Sequence, residues 1–207
     1  EAETLLDDLV DLRRAIHREP ELGLQNPKTL AKIKDALAGL PLEFREGPST
    51  TGLIAILRGP ANGRTVLLRG DMDALPLHED TGLDFSSETA GAMHACGHDT
   101  HVAMLVGAAK MLCARKDELA GTVYFMFQPG EEGHHGARFM LDDGLLDPAH
   151  VITYTDAEPT QVQQRVKHDL AGAVVGDLAA AVHVQHRDVA GREHVLGLAG
   201  LAQGEHR

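Results

Sequence analysis

Leu5, Leu9, Leu12 and Ile16 are spaced by four, three and four, which places them on one side of a helix running from about residue 4 to 18. Asn26-Pro27 reads as the cap and first turn of a second helix, with Leu30, Ile33, Leu37 and Leu40 on its apolar face and Gly39 and Pro41 ending it. The period then changes. Leu53-Ile54-Ala55-Ile56-Leu57 is a short continuous apolar run bounded by glycines, the pattern of a buried strand. Gly59 to Gly63 reads as a turn and Thr65 to Arg69 as the next strand, with Asp71 and Asp73 just beyond its carboxyl end. A helix rich in Ala, Val, Leu and Met is expected from 99 to about 116, a buried strand over Thr122–Phe127, and a short helix from about His135 to Leu141.

Strands alternating with helices predict an α/β fold, a three-layer sandwich in which a mixed sheet is flanked by helices and ligands gather at the carboxyl ends of strands. The pattern weakens near Pro148. Residues 148–207 contain one aromatic, Tyr154, and are rich in Ala, Val, Gly, Gln and His. Leu170–Val184 fits either an apolar helix or a pair of strands, and Arg187–Arg207 has weak patterning. The expected division is 1–147 as the catalytic part and 148–207 as a divergent or aberrant tail.

Composition adds exclusions. With 207 residues the chain can bury a core, and with aromatics at 3% and no Trp that core is aliphatic. The net charge of -12 argues against nucleic acid or an anionic membrane as partner. No apolar run reaches the length of a membrane span. The opening Glu1-Ala2-Glu3 does not look like a signal peptide, and Cys96 and Cys113 make no disulfide framework, so a cytoplasmic location is expected.

The chemistry concentrates in two segments. Met93-His94-Ala95-Cys96-Gly97-His98-Asp99-Thr100-His101 holds three histidines and a cysteine, and Phe127-Gln128-Pro129-Gly130-Glu131-Glu132-Gly133 follows. Soft and borderline ligands combined with paired carboxylates suit a divalent metal with hydrolytic chemistry. Cys96 and His98, two apart on a loop, are candidate ligands. His101, three residues after His98, shares its side of the helix start and is either a supporting or a packed histidine; His94 stands in the same position. Side chains of Glu131 and Glu132 diverge, so one can ligate a metal while the other holds a water as general base. Asp71 and Asp73 are expected to point to opposite sides, with one facing the site to orient a ligand or balance charge. His134 and His135 read as a solvated pair or as substrate contacts, Gly130, Gly133 and Gly136 as backbone devices, and Cys113 as a core residue. The tail histidines His150, His168, His183, His186, His194 and His206 read as scattered surface residues, although His183 and His186 have helical spacing.

Four segments in order carry a resemblance: Leu12–Gly23 (LRRAIHREPELG), Leu68–Pro76 (LRGDMDALP), Met93–His101 and Phe127–Gly133. Over about residues 4–147 the chain resembles the N-terminal half of the metal-dependent amidohydrolases of the aminoacylase/carboxypeptidase (M20) family, in the branch of hippurate hydrolases, N-acyl-amino-acid deacylases and auxin-conjugate hydrolases. The resemblance implies a zinc-peptidase-like catalytic domain and two divalent ions, with Zn, Mn, Co or Ni as candidates. It implies Cys96, His98 and Glu132 as metal ligands, Glu131 as the general acid/base that activates a bridging water, and Asp73 with Asp71 as the supporting acidic loop. The implied partner is a small N-acyl amino acid or peptide substrate, cleaved at its amide bond. The alternatives are a catalytically inactive metal-binding fragment and a dipeptidase or carboxypeptidase. The family's further ligand histidines and its lid domain, which carries dimerisation, have no recognisable match in 148–207, so a C-terminally incomplete domain is expected.

Overall fold

The structure is a computed structural model that describes residues 2–146, together with the backbone of 185–187 and 193–195. Helix α1 (Ala2–Arg18) and helix α2 (Pro27–Ala36) open the chain. Strands β1 (Glu43–Glu46), β2 (Leu53–Arg58) and β3 (Ala61–Asp71) follow, then helix α3 (His98–Ala114), a 3₁₀ turn (Lys116–Glu118), strand β4 (Ala120–Gln128) and helix α4 (Gly136–Asp142). The expected helices and strands are present, most within the one or two residues by which element ends blur, but α2 stops at Ala36 with Leu37 as its cap, so Leu40 lies beyond the helix whose apolar face it was expected to share.

Two elements differ from expectation. The segment 59–63 is not all turn: β3 already begins at Ala61, which pairs with Ala120, and the register slips by a bulge before Arg64 pairs with Gly121. Strand β1, Glu-Phe-Arg-Glu, was not anticipated, because a short charged edge strand carries no apolar run.

The sheet order is β1-β2-β4-β3. Strand β4 lies antiparallel to β2 and parallel to β3, with α3 as the crossover between β3 and β4, so the sheet is mixed. Side-chain alternation divides the core in two. Ile54, Ile56, Tyr124 and Met126 meet Met140, Leu145 and Leu146, with Leu67 and Ala137 at the margin, on the face that α4 covers. Their neighbours Leu53, Ala55, Leu57, Phe125 and Phe127 are equally buried and face the other way. On that side α3 crosses β3 closely enough that a Cβ on Gly70 would lie 3.0 Å from the His101 carbonyl. Helix α1 lies against α3, with Leu9 seated at Gly107.

The chain divides into two compact units, Glu1–Thr155 and Asp156–Arg207. Within the second, β5 (Gln185–Arg187) and β6 (Glu193–Val195) pair antiparallel, with His186 opposite His194, so helical spacing does not extend to His186. Leu170–Val184 and the other tail histidines lie outside the described residues. Among the described residues no helix is long and apolar enough to cross a membrane.

Candidate metal centre

The parallel pairing of β3 and β4 brings their carboxyl ends together: Asp71 stands opposite Gln128, and the Met72 amide donates to the Gln128 carbonyl at 2.8 Å. Asp73 therefore lies beside the loop that leaves β4. Its carboxylate accepts the backbone amide of Glu131 at 3.0 Å on Oδ1 and that of Glu132 at 3.1 Å on Oδ2. One buried acid thus fixes two consecutive glutamates by their main chain and leaves both side chains available. Gly130, at φ 66°, makes the turn possible and lies against Leu24. The Gly136 amide closes the loop onto the Gly130 carbonyl.

His98 is the first residue of α3, set by Gly97 in the left-handed region at φ 77°. Its Nδ1 donates to the Asp73 carbonyl at 2.8 Å, which fixes the tautomer and leaves Nε2 as the free donor atom. That Nε2 stands 3.9 Å from Glu131 Oε2 and 3.9 Å from Glu132 Oε1. Two clusters of ligand atoms compact enough to surround one ion result: His98 with Glu131 and Glu132, and His98 with Asp71 and His101. A nitrogen flanked by carboxylate oxygens is a donor set that fits a Zn-like divalent ion.

Asp71 and Asp73 do not diverge as expected. Asp71 Oδ2 stands 3.7 Å from His101 Nδ1, and Asp73 Oδ1 stands 3.7 Å from His98 Nδ1, so both acids turn to the same pair of histidines, whose tilted rings lie 5.2 Å apart. Residues two apart on an extended chain share a face, and the pairing of the strand ends carries that rule through Asp73. Cys96 is half-buried just before Gly97, and neither cluster includes its thiol. His94 is buried and belongs to neither cluster, its two ring nitrogens without hydrogen-bond partners among the described residues. Burial holds its pKa down at about 4. His134 and His135 are exposed; His135 caps α4 with φ 57°, and the His134 ring lies over Gly23. Cys113 is buried in α3.

The electrostatics separate the four acids. Burial pushes Asp73 up, but the His98 ring and the two glutamate amides outweigh it and hold the carboxyl below its ordinary range. Asp71 is likewise held low: burial is overcome by His101 and by Arg69, whose Nε lies 2.9 Å away. Glu131 goes the other way, raised by burial and by the neighbouring charges of Asp71 and Glu132. His98 is opposed by burial, yet Asp73 and Asp71 raise it to about 9.

The family model "Peptidase family M20/M25/M40" matches residues 67–194, more than half of the chain. The chain belongs to this family. The match runs past 147, where the expected catalytic part ends. N-acetylcysteine deacetylase of Bacillus subtilis is 43% identical over 145 residues, 70% of this chain and 38% of its own length. Thermostable carboxypeptidase 1 of Saccharolobus solfataricus is 44% identical over 144 residues, 68% of this chain and 37% of its own. The crystal structure of the Bacillus subtilis YXEP protein, a dinuclear metal binding peptidase of the M20 family, superposes with a TM-score of 0.67 at 42% identity, over 70% of this chain and 41% of that one. The chain thus spans about two fifths of the length of the M20 relatives it matches.

Sequence reasoning passed over one buried group. Asp99, fully buried at the second position of α3, meets Arg13 and His17 of α1. Its two partners, Arg13 and His17, both lie in the Leu12–Gly23 segment.

Proposed function

We propose that this chain carries the acid–base half of an amidohydrolase site that cleaves the amide bond of N-acyl amino acids. The observation that carries the reading is the position of His98 Nε2, 3.9 Å from both Glu131 and Glu132, with Nδ1 tied to the Asp73 carbonyl. Cys96, His98 and Glu132 would hold divalent metal, two ions in all, with Zn, Mn, Co or Ni as candidates. When bound, such ions supply Lewis acidity to polarise a carbonyl and acidify water. Glu131, less acidic than an ordinary glutamate, takes a proton from water and passes it to the departing amine. Asp73 keeps both glutamates at their posts through the two amides, and Asp71 with His101 backs the His98 ring. The relative that deacetylates N-acetylcysteine supports a small acylated amino acid as partner.

The test compares Glu131→Gln with Glu132→Gln for zinc uptake and for release of acetate from N-acetyl amino acids. Expected is loss of turnover with retained zinc in Glu131→Gln, and loss of both in Glu132→Gln. Unchanged turnover in Glu131→Gln refutes its role, and zinc uptake without turnover in the parent chain reduces the reading to metal binding. A second reading, peptide cleavage from a carboxyl end, is favoured by the carboxypeptidase relative; faster hydrolysis of an unblocked dipeptide than of N-acetyl substrates selects it.

A further inference from the structure

Helix α3 begins without a side-chain cap, on a glycine in the left-handed region. Its first turn is held by the Thr100 hydroxyl, which donates to the Gly97 carbonyl, by the His98 ring on the Asp73 carbonyl, and from the side by charge. Asp99 Oδ2 is 2.6 Å from Arg13 Nε and 2.8 Å from His17 Nδ1, both on the last turns of α1. His17 Nε2 lies 3.2 Å from Glu79 Oε1, so each ring nitrogen faces a carboxylate. Glu79 also accepts from the Thr81 hydroxyl and from the Ser87 amide at 2.7 Å. The next residue, Glu88, donates its amide to the Arg18 carbonyl at the end of α1. Phe85 completes the assembly: Arg13 and Arg14 lie over its ring at 4.8 and 4.9 Å, and His17 meets it edge-on at 5.4 Å. The Asp99, His17 and Glu79 side chains are at most 4% exposed.

Asp99 is bonded directly to His98. A helical turn fixed on the Asp99 side by α1, and on the His98 side by the Asp73 carbonyl, has little freedom to rotate. We propose that Arg13, His17, Asp99 and Glu79 form a positioning bracket that aims the His98 imidazole, so that metal affinity depends on residues that touch no ion. The bracket spans three segments far apart in the chain: the end of α1, the 79–88 loop and the start of α3. None of these residues is a catalytic residue, and the inference rests on His98 being a ligand, as proposed above.

The test uses Co²⁺ as probe on the whole chain, titrated by its visible absorption. His17→Gln keeps polarity and approximate size but cannot set a nitrogen against each of the two carboxylates. Expected is a 10- to 100-fold weaker Co²⁺ affinity with an altered absorption spectrum. Glu79→Gln, which loosens one arm only, is expected to move both readouts less in the same direction, and serves if His17→Gln fails to fold. Leu37→Ala, a truncation of a fully buried residue at the end of α2, is the control for general destabilisation, with its spectrum expected to match the parent. Parent-like affinity and spectrum in the folded bracket variants overturn the proposal, as does an equal spectral change in Leu37→Ala. His98→Ala tests the underlying reading separately: if Co²⁺ binding survives that change, the ligand assignment fails, whatever the bracket variants do.

Discussion

Replacing Asp73 by Asn changes one atom and should be among the most damaging conservative substitutions in this chain. The carboxylate is buried, and each of its oxygens accepts one main-chain amide of the glutamate loop. Asparagine can accept only one of them; its NH₂ group faces the second amide donor to donor. Hydrogen bonds to a charged acceptor contribute about 1.5–3 kcal/mol each, and an abandoned buried donor costs about 1–3 kcal/mol. The loss is therefore about 3–5 kcal/mol, a large part of the ~5–15 kcal/mol that holds a domain folded. Urea unfolding of the metal-free chain measures it directly. The same variant frees the loop carrying Glu131 and Glu132, so zinc affinity, read by competition with a chromophoric chelator, should fall about 10- to 100-fold. A variant within about 0.5 kcal/mol of the parent, with unchanged zinc affinity, would refute the account of Asp73 as the anchor of the glutamates.

Other expectations follow from the same contacts. A Cβ on Gly136 would come within 1.6 Å of the Pro129 carbonyl oxygen, so Gly136→Ala should lose about 3 kcal/mol in urea unfolding and loosen zinc binding; parent-like values would contradict the tight closure of that loop. Glu79 feels burial, which raises its pKa, but the Thr81 hydroxyl, the Ser87 amide and His17 hold it at about 2, below its ordinary 4.5. A depressed pKa stabilises the fold fully above pH 4.5 and less as pH falls toward 2, so Glu79→Gln should flatten the acid limb of the urea midpoint against pH; an unchanged limb counts against the network. Cys113 is buried with its thiol pushed up to about 11 by that burial, whereas Cys96 is half-buried. One thiol per native chain should react with a disulfide reagent and two after unfolding, and prior zinc should slow the native one; a zinc-independent rate would remove Cys96 from the ligand set.

How far the sequence carried can be read from particular residues. Strands β2 and β4 were legible because burial on both faces leaves unbroken apolar runs, Leu53–Leu57 and Thr122–Phe127. Strand β1 was not, since Glu43-Phe44-Arg45-Glu46 is an edge whose strand character comes from pairing with Leu53–Ile56. The early start of β3 depends on a bulge opposite Gly121 at φ 128°, a tertiary event with no local signature. The candidate positions stand out as motifs because Cys, His and paired Glu are costly to place together without chemistry, and of these His98, Glu131 and Glu132 come together in the structure while Cys96 belongs to neither cluster. Their mutual arrangement stands out less: the convergence of Asp71 and Asp73 follows from a period of two that was applied with the wrong sign. The Asp99 network joins residues 82 apart in sequence, and no spacing rule reaches that far.

The balance of charge around His98 gives a last expectation. Asp71 is offset by Arg69 and His101, and Asp73 by two amides and the His98 ring. Glu131 and Glu132 share the same imidazole, at 3.9 Å, and Glu131 is raised first by its burial and then by the negative charges of Asp71 and Glu132, which His98 and Arg69 only partly offset. This surplus of negative charge stores repulsion that a divalent cation relieves, so a bound ion should stabilise the fold. With zinc at 100 times its Kd the gain is about 2.7 kcal/mol by mass action, visible as a rise in Tm reversed by a chelator. The gain should shrink in Glu132→Gln, which removes a ligand, and persist in Cys113→Ala, which touches neither cluster. A Tm indifferent to zinc in the parent chain would mean that the four acids are balanced without an ion, and the metal reading of this site would fall with it.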